Sequence, residues 1–363
     1  MRWNLAALAV LGVASILTGC TTTAPPPVTT QAASLPPDPP PPFAWPAAAA
    51  KTSDPMPVTV AALGFAWPKD VQAQESIAET GTVAVTGKPP KTAAKSYTIM
   101  MTAAPVAEGV RISYSDMQVE MPNLTEHARA LINASIEPMT AVRFPPFLVT
   151  PRGKFLRVDN IDQVVADAKS LAEAAKQQKA NSLDSTVNVS MGTPQDITAE
   201  SVSSSIAFGW NMLVGYWSES TLTSGRQYPI HLTGTQSAAN PAGTVTYDGL
   251  ASYAGRVACD AGEIPDGCVA LTIQIRADPA ELKSWMQQHM SVSAATGAHV
   301  LDLDSASKDI TLRLVAEPDT LLPRRMQWVD DGTLQFGLLS PVKARIDMLQ
   351  RSELVTSFHY VKR

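Results

Sequence analysis

The sequence predicts an α+β fold in which a large, curved, mainly antiparallel sheet carries several helices on one face. Two patterns indicate this class. In some segments apolar and polar residues alternate, and in others an apolar stripe recurs at helical spacing. A third observation concerns the N-terminal end, because the 363-residue chain has 29 prolines and twelve of them lie in residues 21–57. We therefore expect the folded part to follow a proline-rich stretch.

Alternation identifies the strands in the middle of the chain. It is strongest from Val269 to Ile275, where every second residue is apolar and the residues between are small or polar. The same period runs through residues 97–101, 110–114 and 310–314. At residues 117–121 it continues one position out of phase, which predicts a β-bulge or a strand that changes which face it buries. We expect a sheet of roughly ten strands, with one face exposed to solvent and the other buried.

The C-terminal region is expected to form a meander of short strands. Its turn signal is the run Asp330-Asp331-Gly332, because Asp and Gly favour turns. The expected strands on either side are residues 325–329, 333–339, 343–349 and 354–361.

Helices are predicted where apolar residues recur every three or four positions. Start signals support three of them: Asn123 with Glu126 and Asn160 with Gln163 resemble capping pairs, and Pro279 suits a first turn. The expected helices are residues 123–132, 160–179, 198–213 and 279–290. The polar stretch 181–197 is the best candidate for a seam, if the globular part consists of two domains.

The first twenty residues have the pattern of an export signal. Arg2 is followed by an apolar run over residues 5–17, which is too short to span a bilayer. The run ends in Leu17-Thr18-Gly19-Cys20, which resembles the lipobox of bacterial lipoproteins. The resemblance implies cleavage before Cys20 and lipid attachment to its sulfur and amino groups. An ordinary secretory signal, or a buried apolar segment with a chance cysteine, is the alternative.

The resemblance also implies a location. Residues 1–19 would be the signal peptide, and the lipid on Cys20 would hold the mature chain to a membrane, because several acyl chains together give stable attachment. In Gram-negative lipoproteins an Asp after the Cys usually retains the protein at the inner membrane. Thr21 at that position implies the outer membrane, facing the periplasm; in other bacteria the chain would sit on the cell membrane.

Residues 20–79 are expected to be a proline-rich linker, and residues 80–363 the globular domain. Proline lacks an amide donor and fixes φ, so the stretch favours an extended spacer. Within it the tetrapeptide Phe-Ala-Trp-Pro occurs at residues 43–46 and again at 65–68. The two copies are candidate docking segments for a partner or for the protein's own surface. The simpler explanation is coincidence in an Ala- and Pro-biased stretch, or local packing of the linker on the domain.

Cys259 and Cys268 flank a loop rich in Gly, Pro and Asp, between two alternating segments. Antiparallel pairing of those segments would bring the two cysteines within disulfide range, and an exported chain meets an oxidising environment. We expect a disulfide across the mouth of a hairpin. Free thiols, or a metal held with the nearby acidic residues, are the alternatives.

No catalytic site, cofactor or metal site is predicted. The five histidines are scattered, without the paired spacing of metal ligands. Residues 305–308 match the Ser-x-x-Lys of penicillin-recognising enzymes, but the partner motifs are missing and the match falls in an expected polar loop. The net charge of −5 argues against a protein that holds nucleic acid through its overall charge.

The globular part has a general similarity to the outer-membrane lipoprotein carriers and receptors, which fold as incomplete barrels that hold acyl chains. The similarity lies only in the order of loop, strand, turn and strand over residues 319–339. No binding residue can be transferred from it to this sequence. Together these observations predict a non-enzymatic lipoprotein that binds or assembles with an envelope protein. A carrier of a lipid or other hydrophobic ligand is one alternative, and a periplasmic hydrolase without a recognisable motif is another.

Overall fold

The structure is a computed structural model. It describes residues 59–68, 71–87, 89–120, 136, 140–180, 187–191, 197–234, 245–260, 267–294, 301–338 and 345–360. Cys20 and the first Phe-Ala-Trp-Pro copy lie outside the described residues. So do the expected helix at residues 123–132 and most of the candidate seam at 181–197.

Eleven strands form one large sheet in which all neighbours are antiparallel. Strands are numbered along the chain. Those of the sheet are β2 (Val71–Val85), β3 (Lys91–Val106), β4 (Gly109–Glu120), β5 (Phe147–Val149), β6 (Phe155–Val158), β9 (Gln227–Gly234), β10 (Val245–Val257), β11 (Cys268–Ala277), β13 (Leu301–Ala316), β14 (Pro323–Leu338) and β15 (Arg345–Tyr360). The sheet confirms the predicted antiparallel architecture.

The chain enters this sheet in the middle. From β2 it runs outward, strand by strand, to the edge at β6. It then crosses to the opposite edge at β9 and returns strand by strand until β15 pairs with β2. The first and last long strands are therefore neighbours, and they hold the two halves of the sheet together.

Two short strand pairs lie outside the large sheet. β1 (Val60–Ala62) pairs with β8 (Thr221–Thr223), and β7 (Val187–Met191) pairs with β12 (Met290–Ala294). The first pair attaches the beginning of the described chain to the segment that precedes β9. This attachment is extended by backbone hydrogen bonds from Leu63 to Ser220 and from Glu219 to Leu63.

Three helices confirm three of the four predicted ones. They are α1 (Ile161–Ala180), α2 (Ala199–Trp210) and α3 (Pro279–His289). The side chain of Thr198 caps α2 in a reciprocal arrangement with Ser201. Beyond its last residue the helix widens into a π turn, Asn211–Gly215, in which Tyr216 donates to the carbonyl of Asn211. That all helices lie on one face remains a prediction.

One face of the sheet, called here the inner face, carries the side chains of the main core. In β3, Tyr97, Ile99 and Met101 are buried, while the residues between them are more exposed. α2 packs on this face, because the ring of Phe208 lies 5.4 Å from that of Tyr247 and 6.3 Å from that of Trp328. The sequence periods thus identify the buried face correctly.

A bulge in β4 confirms the predicted phase slip. The register with β3 shifts between Thr98 and Met100, so that two residues of β4, Asp116 and Met117, oppose one residue of β3. Asp116 has φ 53°, in the left-handed region that Asp tolerates better than most residues. The bulge turns Met117 into the buried core.

The predicted turn at residues 330–332 is wrong, because β14 runs unbroken through it. Asp330, Asp331 and Gly332 pair with β13 on one side and β15 on the other, so their backbone groups are used in two ladders. The carboxylates are matched to cations on these neighbours: Lys308 lies 3.6 Å from Asp330, and Arg351 lies 3.3 Å from Asp331. Long-range pairing overrides the local turn preference.

Two other expectations need correction. β2 begins at Val71 and passes through residue 80, so the folded part starts earlier than the predicted boundary and includes residues assigned to the linker. The Ser-x-x-Lys match lies within β13 and not in a polar loop, and its Ser305 donates to Gln335 on the neighbouring strand. Both errors arise because the strands are longer than their alternating segments indicate.

Candidate functional site: an interior polar cluster beneath α2

The most unusual feature of the inner face is a pair of buried glutamates on β2. Its inward positions are Val71, Ala73, Glu75, Ile77 and Glu79, and all five are buried. Carboxylates are rarely buried without partners. Sequence reasoning missed both residues, although a signal exists: they occupy the apolar phase of an alternating strand.

Glu75 lines a cavity of about 30 Å³ between the sheet and α2. The sheet contributes side chains from β2, β3, β4, β13, β14 and β15, and Gly209 and Leu213 close the side formed by α2 and its π turn. Two further polar residues of the lining, Trp328 and Thr356, are only 2% and 1% exposed. The indole nitrogen of Trp328 and the hydroxyl of Thr356 have no hydrogen-bond partner among the described residues.

Glu79 belongs to an interior ion network next to this cavity. One oxygen of its carboxylate lies 3.1 Å from the Lys95 ammonium and 3.4 Å from an Arg143 guanidinium nitrogen. The same nitrogen of Arg143 donates to the Tyr97 hydroxyl at 2.6 Å. The guanidinium also lies 4.7 Å from the centre of the Tyr97 ring and 5.2 Å from that of Phe144, within cation–π distance.

The surroundings of the two glutamates shift their pKa values in opposite directions. Burial by itself would raise the pKa of Glu79, but Lys95 and Arg143 outweigh this effect and hold that pKa below its ordinary value. For Lys95, burial lowers the pKa of the ammonium despite the neighbouring carboxylate. Glu79 is therefore ionised at neutral pH, as part of a hydrogen-bonded ion pair.

Glu75 has no such partner among the described residues. No hydrogen bond from a described residue reaches its carboxyl group, and desolvation raises its pKa to about 8. Burial likewise raises the pKa of the tyrosines around it, Tyr97, Tyr114 and Tyr360, which therefore stay neutral. Strand β2 therefore carries two different acids: Glu75, which is uncharged at neutral pH, and Glu79, which is ionised and belongs to the ion network.

The predicted disulfide is present. Cys259 and Cys268 are bonded across the base of the loop that connects β10 to β11, with their α-carbons 5.0 Å apart. With Val315 they form a small buried cluster separate from the main core. The disulfide lies outside the polar cluster, as does the exposed contact of 2.7 Å between His231 Nδ1 and Asp248. Cys20, the predicted lipid attachment site, is outside the described residues.

The described part of the chain contains neither a metal site nor a membrane-spanning helix. No group of three or more His, Cys, Asp or Glu side chains there is arranged to hold a metal ion. None of its helices has the length and apolarity needed to cross a membrane.

The second Phe-Ala-Trp-Pro copy packs against α2 at its C-terminal end. The Phe65 ring is 6.0 Å from the ring of Trp210, and the Trp67 ring is 5.7 Å from it. Trp210 in turn contacts Phe147 and donates its indole N–H to the carbonyl of Gly153 at 2.7 Å. This copy binds the protein's own surface, one of the alternatives that the sequence left open.

Comparison with known proteins does not assign the chain to a family. No protein-family model and no curated protein matches it. A lipovitellin chain, from a structure on lipid–protein interactions, is 8% identical with a TM-score of 0.36, over 82% of this chain and 26% of that one. The present chain thus spans about a quarter of the lipovitellin chain.

Two bacterial proteins, the first of them an outer-membrane protein, show still weaker similarity. OmpT of Vibrio cholerae, folded in vitro, is 8% identical over 81% of this chain and 100% of its own, with a TM-score of 0.20. OpdQ of Pseudomonas aeruginosa is 8% identical over 82% of this chain and 100% of its own, also with a TM-score of 0.20. At these values neither supports an assignment of activity.

Proposed function

We propose that this protein is a lipid-anchored lipoprotein of the bacterial envelope, facing the periplasm from the outer membrane, and that it acts by binding an envelope partner. The observation that carries the proposal is the resemblance of Leu17-Thr18-Gly19-Cys20 to a lipobox, at the end of a short apolar run. The Cys259–Cys268 disulfide supports it independently, since such bonds persist in oxidising compartments.

The ion network of the interior cluster is suited to a structural role. Its charged groups contact one another, because Glu79 pairs with Lys95 and Arg143, and Arg143 is 3% exposed. Buried ion pairs of this kind fix the position of the elements that carry them, and breaking one is costly. The cluster is thus suited to holding the fold in one conformation.

The carrier alternative requires space for an acyl chain. Ligand sites usually measure about 300–1,000 Å³, so the cavity beside Glu75, at about 30 Å³, is not by itself such a site. Native mass spectrometry of the detergent-purified, lipidated protein separates the two proposals. A binding protein gives the covalently modified mass alone, and a stoichiometric, non-covalently bound lipid would favour the carrier.

The anchor is tested by labelling cells with a palmitate analogue. Wild-type protein should take up the label and sediment with membranes, because Cys20 carries the acyl chains. Cys20→Ala should remain an unlabelled, uncleaved precursor. A Cys259→Ser/Cys268→Ser variant, in which Cys20 is the sole cysteine, is the matched control and should label like wild type. Label on Cys20→Ala would refute the proposal.

A further inference from the structure

The second Phe-Ala-Trp-Pro copy occupies an aromatic site that the rest of the fold builds. Trp210, the last residue of α2, is 1% exposed and donates its indole N–H to the carbonyl of Gly153 at 2.7 Å. The Trp210 ring also lies 5.3 Å from the ring of the buried Phe147. These contacts are made within the domain and do not require the tetrapeptide. Residues 65–68 are therefore the occupant of a site, called here the Trp210 site, that other elements hold in place.

The Trp210 site contacts mainly the two rings of its occupant. Phe65 is buried and Trp67 is half-buried, whereas Ala66 and Pro68 are exposed. A Cβ on Gly153 would lie 2.6 Å from the Phe65 ring, so a glycine is needed for this close approach. The indole N–H of Trp67 has no hydrogen-bond partner among the described residues. Recognition thus depends on ring packing, which another Phe-x-Trp segment can supply.

The first copy of the tetrapeptide lies on the same chain, 22 positions before the second. If residues 43–46 occupied the Trp210 site, residues 47–70 would connect them to β2, in place of residues 69–70. The cost of closing a loop grows only slowly with its length. A segment on the same chain also has a high effective concentration at the site. The first copy can therefore reach the site within one molecule.

The residues that precede each copy favour the second one as occupant. Ahead of the second copy, Ala61 belongs to the β1–β8 pair and Leu63 is buried. The equivalent residues of the first copy are Pro39 and Pro41. Proline has no amide N–H, so this stretch cannot repeat the pairing with β8. The second copy is the resting occupant, and the first copy enters when the second is displaced.

We propose that the Trp210 site is a peptide-docking site with two alternative occupants on one chain, residues 65–68 at rest and residues 43–46 in exchange. The exchange moves the point at which the tether leaves the domain by 22 residues. At about 3.1 Å per extended residue this shortens the reach of the tether by roughly 70 Å. That consequence rests on the proposed anchor at Cys20, whereas the docking itself does not.

Photocrosslinking within the mature protein tests the exchange. A phenylalanine analogue with a diazirine on its ring replaces Phe43, and the control carries it at Ala50, in the same linker but outside the tetrapeptide. Because crosslinks are irreversible, a minor docked state accumulates during irradiation. Mass spectrometry should find crosslinks from position 43 to peptides that contain Trp210 or Gly153, several-fold more than from position 50.

The yield of these crosslinks should rise further in Phe65→Ala/Trp67→Ala, in which the resting occupant has lost both rings. If that variant does not fold, the wild-type yields alone decide. Equal yields from positions 43 and 50 in the wild type would overturn the proposal. Crosslinks found only between two molecules would overturn it as well, because the occupant would then be a second copy of the chain.

A double-mutant cycle gives an independent measurement. Phe43→Ala should leave the urea midpoint unchanged when residues 65–68 are intact, since they fill the site. In the Phe65→Ala/Trp67→Ala background the same substitution should lower the midpoint, because the first copy is then the occupant. Such coupling between distant positions indicates a shared site. A neutral Phe43→Ala in both backgrounds would contradict the exchange, and would leave the lipid anchor, which is read from the mass of the N-terminal peptide, unaffected.

Discussion

Glu75 and Glu79 show how strongly the surroundings of a residue decide its chemistry. They are four residues apart on the same side of one strand, and both are buried. Glu79 meets Lys95 from β3 and Arg143 from the segment before β5, whereas Glu75 meets aromatic and aliphatic side chains. The sequence contains the alternation that places both inside, but not the partner at residue 143, which long-range packing supplies.

Arg143 should be the most sensitive residue of the ion network. Arg143→Met removes one of the two cations at Glu79 and the donor to Tyr97, at a site that is 3% exposed. Because Lys95 remains, we expect a loss of about 3 kcal/mol in unfolding free energy, the lower end for a broken buried pair. Urea denaturation at neutral pH measures it.

The matched control is Arg157→Met, at an exposed pair with Glu108. Exposed pairs contribute about 1 kcal/mol or less, so the control should unfold close to wild type. Equal midpoints for the two variants would show that the Arg143 network does not stabilise the fold.

Among the elements, helices and bulges were more predictable than strand ends. The α2 region was identified from its apolar period, because this signal lies within a few turns of sequence. The bulge in β4 was visible as a phase slip. The continuity of β14 through Asp330-Asp331-Gly332 was not visible, since it depends on ladders with β13 and β15 that no local pattern records.

The segment that precedes β2 should be held by its aromatic residues. Phe65→Ala removes a ring that contacts Trp67 and Trp210, and we expect a loss of about 3 kcal/mol in unfolding free energy. The other copy of the tetrapeptide provides the control, because Phe43→Ala changes the same residue in the same local sequence.

We expect Phe43→Ala to leave the stability unchanged, for a reason specific to the preceding residue. Gly64 donates its backbone N–H to Pro318, and a Cβ there would lie 3.0 Å from the Asp319 carbonyl oxygen. The first copy has Pro42 at the equivalent position, which lacks an N–H and carries a Cβ. Equal destabilisation by the two substitutions would contradict this difference between the copies.

The disulfide should stabilise the β10–β11 hairpin without being needed for the main core. Cys259 and Cys268 pack with Val315 in their own small cluster, apart from the main one. Closing a loop of this length contributes about 2.7 kcal/mol in the chain-entropy model. The Cys259→Ser/Cys268→Ser variant should therefore melt roughly 5 °C lower, and at most about 10 °C lower. Circular dichroism that shows a misfolded variant would refute the peripheral role.

At the scale of the whole molecule, alternation predicted the sheet but not its strand order. The number and antiparallel arrangement of the strands follow from segments such as residues 269–275, where one face is apolar. The pairing of β15 with β2 joins residues nearly 300 positions apart and has no local signature. For the same reason the sequence placed the start of the fold at residue 80, within a strand that β15 completes.

The direct test of the central claim is the mass of the N-terminal peptide from the mature protein. If the chain is a lipoprotein, the peptide begins at Cys20 and carries a diacylglycerol on sulfur with an additional acyl group on nitrogen. Mass spectrometry of the protein purified from envelope fractions reads this modification without any substitution. An unmodified peptide, or a mature chain that begins at a residue other than Cys20, would contradict the proposed anchor.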